Sequence, residues 1–463
     1  MVVRDKVVQG RNGQHGSPYE NLQGSQLRHR RHHGAATGGS SRILKERFVW
    51  RKINVIFSRR KTSGLKDTLL RCYLPQYFQK LLVSGKPIFY IDCFAGKGKF
   101  DDGNDGSPLI AMQIINERLG MSRISRKNNA IVPCFIELNH AADLEQNLML
   151  HPYQYGTPQV VDGKFEDNIR GLLKDKRGYN VFLYIDPYGI QALDSQLFDE
   201  IGTYGFRSFE MLINFNSFGF FRDACRVMKV DISQDDALMG LDDLVEYEPT
   251  TVTASPQSEN LLTRIAGGNY WMDIVRDFQA GRIDGYQAER RLSAEYKQHL
   301  KQKYKYVLDM PIRLKPGQRP KYRMIHVCDH EDGCFLMAEN MQRRKDELFV
   351  NIQQNGQLSL FNMMSTVTST VENDILTQEE IEQMVLAHIH QMTSETHITV
   401  FLADFCNEYG VICPFRMIYE ILTKLENAGT IDIVRDPALT AAGKKRMFWE
   451  EKAGQTVIVR RHT

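Results

Sequence analysis

In PIFYIDCFAGKGKF, Pro87 to Phe100, an apolar run ends in an acid, and two glycines follow one residue apart. An apolar run without polar alternation suits a strand covered on both faces. Glycines directly after such a strand let the backbone turn sharply and let a ligand lie against the main chain. The dinucleotide fingerprint G-x-G-x-x-G would put its third glycine at position 101, which is Asp101. The loop that follows, DDGNDGS (Asp101 to Ser107), is acidic and suits a cofactor without phosphates better than a pyrophosphate. A calcium reading of the same loop fails, because position 12 counted from Asp101 is Met112 and not a bidentate Glu.

Outward from that stretch, similar runs recur between breakers: IVPCFIEL (131–138), PQVVD (158–162), VFLYID (181–186) and EMLINFN (210–216). Helical patterns separate them, among them SPLIAMQIINERL and FEDNIRGLLKDK. Apolar strands alternating with helices predict a doubly wound α/β sheet. Upstream, LKDTLLRCYLPQYFQKLLVSGKP has apolar residues at helical spacing, with Gly85 placed to end the helix. Two later strands, KYVLDMPI and YRMIHVC, follow a mostly helical insertion at about 220–303, whose length suggests a lid or substrate-binding subdomain. After a polar stretch, NIQQNGQLSLFNMMSTVTST, come three helical patterns and a hairpin, the outline of a winged-helix module.

The bulk numbers fit this picture. A chain of 463 residues, 42% hydrophobic and 25% charged, is long enough for more than one domain. Its net charge of +3 neither forces nor excludes nucleic acid, so local charge matters more. Arg42 to Lys66 carries nine Lys and Arg against one Glu, either a solvated surface or a phosphate-contacting edge. The eight cysteines are scattered, several inside apolar runs, which suggests thiols in a reducing, cytoplasmic setting rather than disulfides. No apolar run is long enough to span a bilayer. The first 43 residues, rich in Gly, Ser, Arg, His and Gln, read as a disordered basic tail.

The strand ends carry the chemistry. Asp92 closes the first strand, and Phe94, Gly96 and Gly98 form the loop after it. Glu137 ends the second strand, where a carboxylate can accept from ribose hydroxyls. Asp162 ends the third, where it could accept from an adenine amino group. The fourth ends in Asp186-Pro187-Tyr188-Gly189: an acid to hold an exocyclic amine, a proline to fix the turn, a ring to stack on a base. These acids would share one crevice.

This succession resembles the S-adenosylmethionine-dependent methyltransferases. The Asp-Pro-Tyr-Gly run is similar to the D/N-P-P-Y/F signature of amino-methylating nucleic acid enzymes. It is closer still to the Asp-Pro-Phe/Tyr-Gly of tRNA guanine-N2 dimethyltransferases. A narrower resemblance, over about residues 60 to 450, is to the three-Cys-motif partner protein family (TcmP). It is carried by FYIDCFAGKGKF…GSPLIA, FIE, YIDPYG, YRMIHVCDHEDGCFLM and PFRMIYEILTKLENAGTIDI. The first 43 residues fall outside it.

The resemblance implies a Rossmann-like methyltransferase domain, 44–350, with the helical insertion. A linker, 351–372, and a winged-helix domain, 373–463, would follow. It also implies S-adenosylmethionine as cofactor, with Asp92, Phe94, Gly96, Gly98, Glu137 and Asp162 holding it and Asp186, Pro187 and Tyr188 serving the acceptor. Expected partners are a nucleic acid and a protein with a three-cysteine motif, of radical S-adenosylmethionine type.

Other readings stay open at this stage. Phe218, Phe220, Phe221, Arg222 and Arg226 could hold nucleotides or pack under the insertion. His326, Cys328, His330 and Cys334 are zinc-ligand types, but along a strand they stand too far apart for one ion, so no metal site is assigned. The candidate recognition helix sets Arg416 and Lys424 against Glu420 and Glu426, while Lys444, Lys445 and Arg446 make the wing basic beside Trp449. A non-catalytic scaffold working with the radical-type partner is the alternative from another class. A dinucleotide oxidoreductase is disfavoured by Asp101.

Overall fold

Five of the apolar runs form parallel strands: β1 (Ile88–Asp92), β2 (Ile131–Glu137), β3 (Gln159–Asp162), β4 (Asn180–Ile185) and β5 (Ser208–Phe215). In the computed structural model the described residues are 66–121, 130–232, 252–312, 320, 322–360 (side chains to 347), 376–452 and 454–462. The expected tail, 1–43, and most of the basic stretch before Lys66 lie outside them.

The sheet has seven strands in the order β3-β2-β1-β4-β5-β7-β6, with β6 at Tyr306–Ile312 and β7 at Tyr322–Cys328. β7 runs antiparallel to both neighbours, β5 and β6. The result is a mixed α/β, mainly parallel sheet. From β1 the chain moves outward to β2 and β3, then returns to β4 on the other side of β1. That reversal makes a switch point, where the carboxyl ends of β1 and β4 leave a crevice.

Alternation along the strands separates two cores. Ile88 and Tyr90 of β1 face one side, with Phe182 and Tyr184 of β4 and Leu212 of β5. A helix over residues 66–82 (α1) covers that side together with α2 (Ser107–Met121). Phe89, Ile91, Val181, Leu183 and Ile213 face the other side. There they meet α4 (Phe165–Leu173), α5 (Ser195–Ile201) and α6 (Ser217–Val227). α3 (Ala141–Met149) packs Leu144 and Leu148 into the first core.

The described helices of the insertion pack against the sheet. α7 (Pro256–Ala266), α8 (Tyr270–Gln279) and α9 (Gly285–Lys301) bury Leu262, Trp271, Leu292 and Tyr296 in the same core as β5 and β7. Tyr296 stacks on Phe215 with ring centroids 4.6 Å apart. Phe220 and Phe221 are buried there too, and Arg226 pairs with Asp223 at 2.5 Å, so packing accounts for that aromatic cluster. An apolar helical face finds more area against a sheet than over an open pocket.

A buried ion network ties these helices to the antiparallel strands. Arg323 of β7 donates Nε and Nη2 to Glu289 of α9 at 2.7 and 2.8 Å, and Nη1 to Asp309 of β6. Lys297 of α9 also donates to Asp309.

The long helix α10 spans Glu331–Leu360, ten residues into the stretch expected to be a linker. Polarity misled there: Gln and Leu are good helix formers, and one glycine is tolerated. Residues 361–375 lie outside the description. Beyond them come α11 (Gln378–Gln391), α12 (Ile398–Tyr409) and α13 (Phe415–Asn427), with a small antiparallel sheet of order β8-β10-β9. Its strands are Thr396–His397, Ile431–Asp436 and Thr456–Arg461 in chain order.

Thr377 and Glu380 form a capping box at the start of α11. Asn407 of α12 accepts from Val307 N (3.0 Å) and donates to Lys305 O (3.1 Å), so this helix covers the edge strand β6. Among the described residues no helix is long and apolar enough to cross a membrane.

Candidate functional site

The loop after β1 extends the sheet before it turns away. Cys93 N donates to Tyr184 O (2.9 Å) and Ala95 N to Ile136 O (3.0 Å), so the loop is fixed to strands on both sides. Gly96 N then donates to Glu137 Oε2 at 2.8 Å. The other oxygen of Glu137 accepts from Asn139 N (2.8 Å) and His140 N (3.1 Å) at the start of α3. One carboxylate thus joins the glycine loop to the next helix.

Gly96 and Gly98 have φ of +61° and +77°, a region that L side chains enter at a cost of roughly 1–2 kcal/mol. A Cβ on Gly98 would come within 2.9 Å of Leu144 Cδ1, whereas one on Gly96 meets nothing within 4 Å. The first glycine keeps space open and the second lets the loop press on α3. Gly98 O accepts from Gly106 N (2.8 Å), and Lys99 pairs with Asp105, so the acidic loop closes as a small hairpin.

A cavity of about 330 Å³ lies here, near the lower end of small-molecule sites at roughly 300–1,000 Å³. The glycine loop, Lys66, Asp67, Ser107, Tyr184 and Asp186 line it. Asp92 lies fully buried at the tip of β1. Its Oδ1 accepts from Phe94 N at 3.3 Å and the Ser107 hydroxyl bonds the carboxyl, while Oδ2 has no partner among the described residues. Burial pushes this carboxyl up to about 7 against those two hydrogen bonds, with Asp186 and Asp67 adding to the rise. Asp67 is also lifted by burial to about 7, although Lys66 pulls the other way. Of these two perturbed acids Asp67 lines the cavity and Asp92 does not, and a strongly perturbed acid in a cleft is a candidate functional group.

Asp186 is held from three sides. Lys66 Nζ donates to Oδ1 (3.0 Å) and Oδ2 (2.8 Å), Asn214 Nδ2 to Oδ1 (2.7 Å) and Tyr184 OH to Oδ2 (3.3 Å). Asn214 Oδ1 is itself buried with no partner among the described residues.

The strand-end acids do stand on neighbouring strands, but they do not all meet. Asp186, Phe94, Gly96 and Gly98 line the cavity, and the charge of Asp186 reaches Asp92, which is buried and not part of the lining. Glu137 is one step removed, on Gly96 N, and Asp162 is paired with it in register at an exposed position of β3. Pro187 is buried, and Tyr188 is 74% exposed outside the cavity wall.

Sequence reasoning missed Lys66, Asp67, Ser107, Tyr184 and Asn214. Asn214 had a signal, a polar residue near the tip of an otherwise apolar strand. Lys66 stood at the end of the basic stretch with nothing to tie it to Asp186, and Asp67 had no signal, since the fold alone brings α1 to the tip of β4.

The zinc-type residues have other roles. His326 Nε2 lies 3.0 Å from Glu210, which also accepts from Tyr73, and Cys334 donates to Ala403 O at 3.6 Å. On the C-terminal module Arg416 pairs with Glu420, Lys424 with Glu382 and Lys445 with Glu426. Their charge is largely spent within the module. Tyr419 and Trp449 stack at 5.1 Å on the same surface.

No family model matches this sequence. No curated protein matches it either. Among solved structures, the plantazolicin methyltransferase BamL, in complex with a triazolic desmethylPZN analogue and SAH, aligns over 60% of this chain and 90% of its own. Identity is 11% and the TM-score 0.28, too low to carry an argument about fold or activity.

Proposed function

We propose that the chain binds S-adenosylmethionine beside the glycine loop and transfers its methyl group to an amine, the exocyclic amine of a nucleic acid base being the acceptor class. The observation that carries this reading is the pairing of unsatisfied buried acid with open main chain. Asp92 Oδ2 lacks a partner among the described residues, Asp67 and Asp92 titrate near neutrality, and Gly96 leaves space where a side chain would stand. A cationic ligand suits that donor set, because it favours the ionised carboxyls that burial disfavours. Diphosphates do not suit it.

A sulfonium supplies an already activated methyl group. The residues then need to bind, align and exclude water. Asp92 and Asp67 meet the positive charge. Glu137 keeps Gly96 in place and retains acceptor capacity for ribose hydroxyls. Asp162, exposed on the next strand, takes the adenine amino group. Asp186 and the Pro187 carbonyl accept from the N–H groups of the acceptor and favour the tetrahedral nitrogen that forms as the bond is made. Tyr188, exposed beside them, stacks on the base.

The three helices and small sheet at the C-terminus act as a winged-helix module that docks the substrate or a protein carrying a three-cysteine motif. The non-catalytic scaffold remains the second reading, favoured by the internal pairing of the module's cations.

Labelled methyl transfer to DNA, tRNA and rRNA tests the reading. Incorporation is expected with the wild type and lost in Asp186→Ala, with affinity for S-adenosylmethionine kept within about threefold, less than one hydrogen bond's worth. Equal incorporation by the variant would overturn the assignment of Asp186.

A further inference from the structure

Asp186 has no room for another hydrogen bond. A carboxylate offers about four lone-pair sites, and four contacts from Lys66, Asn214 and Tyr184 already reach its two oxygens. An acceptor amine can bind there only if a donor leaves. Tyr184 and Asn214 are buried in the strands and cannot. Lys66 can. It stands in the first described turn of α1 at the cavity wall, its side chain is 16% exposed, and its four-carbon stem lets the ammonium swing into water.

Resting on the reading above, we propose that Lys66 is the resident occupant of the acceptor seat, and that an acceptor amine binds Asp186 by displacing it. The lysine Nζ is itself a nitrogen with several N–H donors, it bridges both oxygens of Asp186, and it lies 5.6 Å from the centre of the Tyr322 ring. The geometry therefore marks where an acceptor nitrogen sits. It also acts as a filter. A nitrogen with two or more N–H groups replaces both bonds, whereas a hydroxyl gives one and leaves the second oxygen short. Lys66 is thus a specificity-determining residue that holds the seat for amines.

The test uses n-butylamine as probe, with 1-butanol as control, titrated by calorimetry into wild type, Lys66→Ala and the double variant Lys66→Ala/Asp186→Asn at pH 8. Lys66→Ala should bind the amine at least tenfold more tightly than wild type and should not gain affinity for the alcohol. The gain should vanish in the double variant. Lys66→Met, close to the native side chain in length, repeats the test should the alanine variant fold poorly. Equal amine affinity in wild type and both Lys66 variants, or a gain that survives Asp186→Asn, would overturn the proposal. S-adenosylmethionine is titrated into wild type in parallel. Cofactor binding without any amine gain removes only the seat, and an amine gain without cofactor binding removes only the methyl-donor reading.

Discussion

Asp92 at the tip of β1 and the pair Glu289–Asp309 beside β7 are all buried, yet their carboxyls titrate in opposite directions. Burial raises Asp92 to about 7, because only two weak hydrogen bonds and no cation oppose it. Burial works against Asp309 as well, but Arg323 and Lys297 overcome it and hold that carboxyl at about 2. Glu289 is likewise held below its usual range once Arg323, Ser217 and Ser293 offset desolvation. The second set joins helices to strands and is complete. The first is left with an oxygen that has no partner among the described residues. Burial alone does not mark a functional acid; burial without compensation does.

The comparison can be broken at its stronger end first. Arg323→Met leaves Glu289 and Asp309 buried without their main cation. Urea unfolding should show a loss of about 3–5 kcal/mol, with part returned by adding Glu289→Gln. A loss under about 1 kcal/mol would mean the network is not holding the helices to the sheet.

Asp92→Asn should act in the other direction. The folded carboxyl titrates near 7 against 3.8 for the free group, so the folded state holds the extra proton between those values. Stability from this group is therefore full below about pH 4 and falls as pH rises to about 7. The asparagine variant should match wild type near pH 4 and exceed it by about 1–3 kcal/mol at pH 8. It should also bind S-adenosylmethionine at least tenfold more weakly. Thermal melts across that pH range check the first half, and no growth of the difference with pH would contradict it.

Asp162→Ala should do least. The residue is exposed, so stability should move by less than about 0.5 kcal/mol. Cofactor affinity should fall by about threefold to tenfold, the worth of one hydrogen bond. No change in affinity would remove Asp162 from the adenine end.

Much of the fold could be read in advance because each parallel strand is apolar on both faces and ends at a breaker. PIFYID and VFLYID announce themselves that way. The antiparallel β7 did not, since pairing antiparallel to β5 and β6 leaves no mark in YRMIHVC that separates it from a parallel strand. The packing of the insertion's helices against the sheet was hidden for a related reason: an amphipathic helix looks the same over a cavity as on a sheet. At the glycine loop, Gly96 and Gly98 were legible because a left-handed backbone favours glycine there. Asn214 stood out only as a polar residue near the tip of an apolar strand, and its contact with Asp186, like those of Lys66 and Asp67, arises between distant segments.

Calorimetry with S-adenosylmethionine at pH 8 tests the central claim most directly, with wild type compared to Gly98→Val, whose added Cβ would strike Leu144 within 2.9 Å and distort the loop. Wild type should bind with micromolar affinity, the variant at least tenfold more weakly, and wild type itself more weakly at pH 6 than at pH 8 as Asp92 and Asp67 take up protons. Absence of binding by the wild type at millimolar cofactor would contradict the account.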